Sequence, residues 1–215
     1  MKKIAVVLAG CGVLDGAEIH EATMSLYAIK KLGAEYEIFA PDMDQYHVIN
    51  HLTGKEMDEK RNVLVEAARI ARGHIKPLSK YDVKDFDGLL FPGGFGAAKN
   101  LCTFAFDGYA CKINPEVHEA IKTTHEAGKP IAALCVSPVL LAKALGKGKL
   151  TVGEQSGTSQ AIERLGAKHE ATHHGQVIVD QENKLLSTPC YMLNANIVQI
   201  AEGAENIVKE MLKMI

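Results

Sequence analysis

The segment Gly128-Lys129-Pro130-Ile131-Ala132-Ala133-Leu134-Cys135-Val136-Ser137-Pro138 contains a tight loop, a short apolar run and a helix start in direct succession. The apolar run 131–134 has the length of a buried strand and follows a glycine that is a usual end signal for a helix. Pro138 fits the first turn of a helix, where its missing N–H costs nothing. The segment therefore predicts one strand-to-helix unit of an α/β sheet, with Cys135 at the turn.

The same alternation of strand and helix runs along the whole chain. Apolar runs of strand type occur at 3–9, 36–40, 88–91, 131–134, 177–179 and 185–188. Stretches of helix type lie at 17–32, 62–72, 115–127, 137–145, 158–165 and 192–214. Such alternation implies right-handed crossovers, so we expect a three-layer α/β fold with a mostly parallel sheet and helices on both faces. No repeat or Pro/Ser-rich linker divides residues 1–215, which predicts a single domain.

Composition and charge exclude several classes of partner. The chain has 24 basic and 26 acidic residues and a net charge of -2, which gives no long-range field for nucleic acid or an anionic membrane. The apolar run that starts at Ile4 is short and breaks at Gly10-Cys11-Gly12, so it predicts a first strand and not a signal peptide. No stretch approaches the roughly 18 apolar residues of a membrane span. We therefore expect a cytoplasmic protein with no nucleic-acid or membrane partner.

The five cysteines are odd in number, widely scattered and without a Cys-x-x-Cys pair. This pattern argues against a disulfide framework and against a structural zinc site, so reduced thiols and no bound metal are expected. Cys135 stands out because it follows a buried strand and precedes a helix. The helix dipole and free backbone N–H groups at such a turn, a nucleophile elbow, favour the thiolate and predict a lowered pKa. The alternative is a buried structural cysteine.

The third predicted strand ends in the glycine-rich segment Phe91-Pro92-Gly93-Gly94-Phe95-Gly96. It lacks the patterns of the two common phosphate-binding loops, and by itself it could be a flexible turn. Beside a cysteine elbow, its backbone can approach closely enough to hold a developing oxyanion. The predicted oxyanion site is the backbone of Gly93, Gly94 and Val136, with the N–H groups of Gly94 and Val136 as donors.

An acidic partner for the thiol is expected at the start of the first helix. Asp15 and Glu18 have the spacing of a capping box, which predicts structural roles for both. Glu21 lies one turn deeper, beside the apolar stripe, and can point toward the end of the sheet. A carboxyl group kept partly protonated by burial there could hydrogen-bond Cys135 or shuttle a proton, so Glu21 is preferred to Glu18.

Other candidates have weaker patterns. His173 and His174 resemble a metal or base pair but have no third ligand at a recognisable spacing, which favours a solvated turn. Cys190 follows another predicted strand and could line the same cleft or act as a resolving thiol. The stretch 42–60 could cap the cleft or form a dimer contact.

Over essentially its whole length the chain resembles the PfpI and class I glutamine-amidotransferase-like superfamily. It is most similar to the ElbB-type branch, also called isoprenoid-biosynthesis amidotransferase-like proteins. Beyond Cys135, the resemblance is carried by the runs 10–21, 48–54, 61–70, 92–101 and 188–193. It implies a flavodoxin-like fold, a homodimer, a nucleophilic Cys135 and an acidic partner at Glu21. It also implies cofactor-independent glyoxalase chemistry that turns glyoxal into glycolate, with an older genetic link to isoprenoid synthesis.

The resemblance does not extend to glutaminase activity. A glutaminase of this superfamily needs a His-x-Glu after the cysteine, and none of the nine histidines has a glutamate at the second position after it. The residues instead suggest that Cys135 adds to a small 2-oxoaldehyde, that Gly94 and Val136 hold the oxyanion, and that Glu21 moves the proton. A thioester then forms and water releases the 2-hydroxy acid.

Two alternatives stay open from the sequence. One is a non-enzymatic redox-sensing or stress-protective protein in which Cys135 oxidises. The other is a cysteine hydrolase or deglycase, which requires His169, His173 or His174 to lie near Cys135 in space.

Overall fold

A computed structural model describes residues 1–215, and its centre is a seven-stranded sheet. The strands of the chain are β1 (Lys3–Val7), β2 (Glu35–Ala40), β3 (Ile49–Asn50), β4 (Lys55–Glu56), β5 (Ile75–Pro77), β6 (Gly88–Phe91), β7 (Ile131–Leu134), β8 (Lys149–Leu150), β9 (Lys168–His169), β10 (Ile178–Asp180) and β11 (Leu185–Thr188). The helices are α1 (Ile19–Lys31), α2 (Val63–Ile70), α3 (Phe95–Lys99), α4 (Phe104–Asp107), α5 (Pro115–Glu126), α6 (Pro138–Leu145), α7 (Gly157–Arg164) and α8 (Ile197–Lys213).

The order of strands in the main sheet is β10-β11-β7-β6-β1-β2-β5. Every neighbouring pair is parallel except β10 and β11, which are antiparallel. Strands β3 and β4 form a separate hairpin, and β8 and β9 pair in a second small sheet. The mostly parallel three-layer α/β fold predicted from the sequence is therefore confirmed.

Two apolar cores lie on opposite faces of the sheet because side chains alternate along each strand. On β1, Ile4 and Val6 belong to the core that also holds buried residues of α1 and α8. Ala5 and Val7 belong to the second core, with buried residues of α5 and α6. Both faces are covered, which explains why the predicted strands are continuous apolar runs.

All six predicted strands and all six predicted helices are present with bounds shifted by a few residues. The largest shift is at the last helix, predicted from residue 192, because Asn196 caps it and closes a capping box with Gln199. The short elements were missed. Edge strand β5 has three residues and an exposed Lys76 at its centre, so no periodicity marks it.

Strands β1, β6 and β7 are neighbours in the sheet. Their carboxyl ends therefore bring together three loops, at Gly10-Cys11-Gly12, at 92–96 and at Cys135. This is the edge at which open α/β sheets place functional groups. None of the helices combines the length and the apolar character needed to cross a membrane.

Candidate active site

Cys135 occupies a sharp turn between β7 and α6. Its φ angle is 60°, a left-handed conformation that side chains other than glycine rarely adopt. Its N–H donates to the carbonyl oxygen of Thr188 at 2.9 Å, and the Ser137 hydroxyl donates to the carbonyl oxygen of Pro92 at 2.7 Å. These bonds tie the turn to β11 and to the end of β6. The strained backbone holds the thiol at the carboxyl edge of the sheet, as in a nucleophile elbow.

Glu21 is the partner of that thiol. Its side chain is fully buried in the first turn of α1. One carboxyl oxygen, Oε2, accepts the N–H of Gly93 at 2.9 Å, and the other, Oε1, accepts the N–H of Tyr191 at 3.2 Å. The carboxyl group also approaches the Cys135 thiol, since a Cβ added at Gly93 would lie within 3 Å of both Glu21 Oε2 and Cys135 Sγ, and each of the two groups shifts the pKa of the other. Glu21 thus joins the ends of β6, β7 and β11 at one point.

The environment of Glu21 keeps its carboxyl group protonated near neutral pH. Burial raises its pKa from the ordinary 4.5 to about 8, and the nearby charge of Glu18 acts in the same direction. The hydrogen bonds from Tyr191, Cys135 and Gly93 oppose this shift without cancelling it. At pH 7 the group is therefore mostly a neutral acid that can donate one proton and accept another.

The pKa of Cys135 moves in the direction opposite to the prediction. Burial raises the pKa of the thiol well above its ordinary value, and the charge of an ionised Glu21 raises it further. The N–H groups of Gly94 and Val136 lower it, as expected at a helix start, but their effect is smaller. The predicted low pKa is wrong because the side chain is only 7% exposed and sits against an acid. In the resting site both partners carry their protons.

The Gly93-Gly94 pair leaves no room for a side chain. A Cβ at Gly93 would lie 2.4 Å from Cys135 Cβ and 2.6 Å from Glu21 Oε2. At Gly94, where φ is 98°, it would lie 2.4 Å from the backbone nitrogen of Glu18. The N–H of Gly93 is committed to Glu21 and is not free to hold an oxyanion. Of the three predicted positions, Gly94 and Val136 direct their N–H groups at the sulfur.

Asp15 and Glu18 do not form the predicted capping box. Glu18 itself is the N-cap of α1, and its Oε2 accepts the N–H of Glu21 at 2.7 Å. Asp15 Oδ2 instead accepts the N–H of Ile49 at 2.6 Å, which holds the β3–β4 hairpin over the loop after β1. The prediction failed because a tight turn, closed by the N–H of Gly16 donating to the carbonyl oxygen of Gly12 at 2.7 Å, delays the helix start.

A cavity of about 300 Å³ opens in front of Cys135. Most of its wall is apolar, and its polar side chains are few. The lining residues are Val13, Glu18, Gly94, Phe95, Ala98, Phe104, Ala105, Cys135, Val136, Thr158, Tyr191 and Met192. A depression of about 460 Å³ beside α5 is larger but contains no cysteine or histidine. The cavity at Cys135 can therefore take a small carbonyl compound with an apolar substituent.

Tyr191 and His20 form a polar contact that the sequence did not indicate. The Tyr191 hydroxyl lies 2.8 Å from His20 Nδ1, and Tyr191 also lines the cavity. The two residues are 171 positions apart, so no local pattern could pair them. The only available signal was the position of Tyr191 just after β11.

The other candidates do not line this cavity, although Cys190 is near enough to Glu21 and Cys135 for their charges to add to burial in raising its pKa. Cys190 is buried against α8, where a Cβ added at Gly203 would lie 3.4 Å from its sulfur, and it does not line the cavity. His173 and His174 line a separate depression. His169 is buried, with Nε2 3.3 Å from the N–H of Val152. No histidine lines the Cys135 cavity or is among the groups that shift the pKa of Cys135.

The β3–β4 hairpin lies within the stretch 42–60 and covers the first loop, not the cavity. Besides the Asp15 bond, the N–H of Leu14 donates to His51 Nε2 at 3.1 Å. Leu52 at its tip is exposed. No group of three or more His, Cys, Asp or Glu side chains is placed to hold a metal ion.

Comparison with known proteins is consistent with this architecture. The sequence profile described as the DJ-1/PfpI family matches residues 2–190. The chain is 46% identical over 222 residues to the Homo sapiens protein named glutamine amidotransferase-like class 1 domain-containing protein 3, mitochondrial, covering 99% of this chain and 83% of that protein. It is 36% identical over 230 residues to the Danio rerio ES1 protein, mitochondrial, covering 98% and 85%.

A solved structure from Ehrlichia chaffeensis superimposes closely on this fold. It is described as an isoprenoid biosynthesis protein with an amidotransferase-like domain. The TM-score is 0.92 at 34% identity, covering 99% of this chain and all of that one. The family resemblance predicted from the sequence is confirmed.

The relatives contradict the predicted cytoplasmic location. The proteins from Homo sapiens, Rattus norvegicus and Danio rerio are all named mitochondrial. The prediction was wrong because net charge and a short N-terminal apolar run test for membrane and secretory segments only. They do not distinguish between compartments in which the same folded domain is stable.

Proposed function

We propose that this chain, which belongs to the DJ-1/PfpI family, is a cofactor-independent glyoxalase that converts a 2-oxoaldehyde into the 2-hydroxy acid. The observation that carries the proposal is the close approach of the Cys135 thiol, which lines a mostly apolar cavity, to the fully buried carboxyl group of Glu21, whose pKa is raised to about 8. A thiol and a neutral acid in contact can add to an aldehyde and move protons without a metal or an external base.

In the first step the Cys135 sulfur bonds to the aldehyde carbon of the substrate. Glu21 accepts the thiol proton on one oxygen while its own proton passes to the substrate oxygen, which gives a neutral hemithioacetal. This exchange creates no separated charges, which suits a site where burial raises the pKa of both groups. The N–H groups of Gly94 and Val136 stabilise negative charge that develops on oxygen or sulfur during the addition.

In the second step the hydrogen on the former aldehyde carbon is removed as a proton and a proton is returned to the neighbouring carbonyl carbon, while the hydroxyl proton of the hemithioacetal passes to the oxygen of that neighbouring carbonyl. The first carbon is oxidised to a thioester and the second is reduced to an alcohol, so no external oxidant is consumed. Water then cleaves the thioester, releasing the 2-hydroxy acid and restoring the thiol. Glyoxal itself would give glycolate.

The cavity wall favours a 2-oxoaldehyde that carries an apolar substituent. Phe95, Phe104 and Met192 line it together with small apolar side chains. Glyoxal has no group that could use this surface, whereas a methyl or phenyl substituent would bury there and gain about 25 cal/mol per Å² of apolar area. We therefore expect kcat/KM to rise in the order glyoxal, methylglyoxal, phenylglyoxal.

The test is a turnover assay with these three aldehydes that measures the 2-hydroxy acid by chromatography. The Cys135→Ser variant should show no product above the rate without protein, while Cys11→Ser, which changes a thiol outside the cavity lining, should match the unmodified chain. Product formation by Cys135→Ser at the unmodified rate, or none by the unmodified chain with any of the three aldehydes, would exclude the proposal.

The alternatives kept from the sequence have less support. A hydrolase needs a histidine base at Cys135, and the histidines named for that role lie elsewhere. Peroxide sensing at Cys135 requires a thiolate, and burial raises the pKa of this thiol. The homodimer stays a prediction, which light scattering after size-exclusion chromatography would test.

A further inference from the structure

A second pair of thiols lies in the loop between α3 and α5. Cys102 and Ile113 form an antiparallel bridge in which the N–H of Thr103 donates to Lys112 O and the N–H of Asn114 donates to Leu101 O, both at 2.9 Å. Side chains two residues apart on an extended segment share a face, so Cys111 lies diagonally across from Cys102 on the same side. The bridge thus brings together two cysteines that are nine positions apart in sequence.

The two thiols are near neighbours and are shielded from solvent. Cys102 is 3% exposed and Cys111 is 1% exposed, and each thiol shifts the pKa of the other. The Cys102 thiol also lies 3.4 Å from the carbonyl oxygen of Ala97. Both cysteines are free, so the pair consists of two reduced thiols.

The pair is chemically asymmetric. Interaction with the Cys102 thiol lowers the pKa of Cys111 to about 7, and the charge of Lys143 acts in the same direction against the opposing effect of burial. The same interaction and burial raise the pKa of Cys102. Cys111 is thus the sulfur that more readily becomes a thiolate, while Cys102 keeps its proton. This arrangement favours Cys111 as the thiol that attacks an oxidant and Cys102 as the thiol that then attacks the oxidised Cys111 sulfur.

We propose that Cys102 and Cys111 are a modification site that closes to a reversible intramolecular disulfide when the protein meets hydrogen peroxide. The Cys111 thiolate attacks one peroxide oxygen, the O–O bond breaks, and the leaving hydroxide takes a proton to become water. The resulting sulfenic acid is attacked by Cys102, the S–O bond breaks, and the displaced hydroxide takes the Cys102 proton as a second water. Two electrons pass from the two sulfurs to one peroxide, and a thiol reductant reverses the reaction.

The loop that this disulfide would close reaches the active-site cavity. Phe104 and Ala105, which lie between the two cysteines, form part of the cavity wall. Phe106 packs against Tyr46 with ring centroids 4.2 Å apart and the two rings tilted by 33°, and the Arg164 guanidinium lies 4.9 Å from the centroid of the Tyr109 ring. Oxidation of the pair is therefore placed to change the cavity in front of Cys135. Only this effect on the active-site cavity rests on the proposed function, because the disulfide can form without any catalysis at Cys135.

Trypsin provides a direct test because it cleaves after Lys99 and Lys112, which leaves both cysteines in one peptide, residues 100–112. The folded full-length chain is treated with stoichiometric peroxide, alkylated, digested and analysed by mass spectrometry. We expect the peptide to lose two hydrogens and to carry no alkyl group on either cysteine. After reduction, both cysteines should be alkylated again. A peptide that remains fully alkylated while another cysteine oxidises would overturn the proposal.

Single substitutions separate the roles of the two sulfurs. Cys102→Ser should leave a sulfenic acid on Cys111 that dimedone traps, whereas Cys111→Ser should give neither the adduct nor the disulfide. Cys11→Ser is the matched control and should retain the full effect. Circular dichroism and thermal unfolding establish that each variant is folded, and a Cys102→Ser variant that is folded but forms no dimedone adduct would contradict the assignment of Cys111 as the attacking thiol.

Discussion

The chain has two sites where a thiol lies beside a neighbour that can exchange a proton, and the pKa shifts of the two thiols differ. At Cys135 the neighbour is the acid Glu21, and burial raises the pKa of both groups. At Cys111 the neighbour is the Cys102 thiol and Lys143 adds a positive charge, so the pKa of Cys111 falls to about 7. The difference shows that low exposure does not by itself set the charge of a cysteine. Burial is the largest cause of the raised pKa at Cys135, whereas at Cys111 the effect of the Cys102 thiol outweighs burial.

The largest expected effect tests the nucleophile of the first site. Cys135→Ser should lower kcat/KM for phenylglyoxal by about 1000-fold or more, because a hydroxyl in the same place is a far weaker nucleophile toward the aldehyde. The assay is product formation under saturating and limiting substrate. Cys102→Ser should stay within about twofold under reducing conditions, and an equal loss in both variants would show that the two sites are not functionally separate.

The next effect tests the acid. Glu21→Gln keeps the size of the side chain and removes the exchangeable acid proton, so kcat should fall by about 100-fold or more. Glu18→Gln is the informative control, because the charge of Glu18 raises the pKa of Glu21. This variant should keep its activity near pH 7. As pH rises further, its activity should fall at a lower pH than that of the unmodified chain, because Glu21 loses its proton earlier. Unchanged kcat in Glu21→Gln would exclude proton transfer by this residue.

The raised pKa of Glu21 also predicts how stability depends on pH. Between 4.5 and about 8 the folded state holds a proton that the unfolded state has released. The stability associated with this proton is therefore fully present below the unfolded pKa and is lost as pH rises through about 8, at up to about 1.4 kcal/mol per pH unit. Urea unfolding of the unmodified chain and of Glu21→Gln across this range measures it. The difference between their free energies of unfolding should change with pH, and parallel pH profiles would show that Glu21 is not protonated in the fold.

The smallest effect compares the two thiols directly. At neutral pH Cys111 should react with iodoacetamide several-fold faster than Cys135 whenever the loop opens, because a larger fraction of it is thiolate. Cys102→Ala removes the thiol that lowers the pKa of Cys111 and should move the pH midpoint of Cys111 alkylation upward. The measurement is peptide-level mass spectrometry over a pH series, and a midpoint that does not move would assign the shift to Lys143.

Much of the framework was predictable because it depends on patterns local in the chain. The run 131–134 followed by Pro138 predicted β7, the turn at Cys135 and α6, and all three are present. The inward orientation of Glu21 was also predicted from helical spacing, although the residue lies in the first turn of α1 and not one turn deeper, because the helix begins at Ile19. The cap at Glu18 was missed because the turn that delays the helix involves contacts that no periodicity reveals.

The pairing of distant groups was not predictable from such patterns. Glu21 is held by the N–H groups of Gly93 and Tyr191, which are 72 and 170 positions away. The bridge that aligns Cys102 with Cys111 depends on a short antiparallel pairing with no strand-like periodicity. The sequence also predicted a lowered pKa for Cys135, because it showed the helix start but not the depth of burial.

By itself, the sequence determined the alternation of strands and helices, the position of Cys135 at an elbow and the inward-facing acid near the start of the first helix. Those features depend on hydrophobic periodicity and on the conformations of glycine and proline, which are properties of neighbouring residues. Only the tertiary structure decided where the protons reside. A pKa depends on desolvation and on charges a few ångströms away, and the fold brings those groups together from remote parts of the chain.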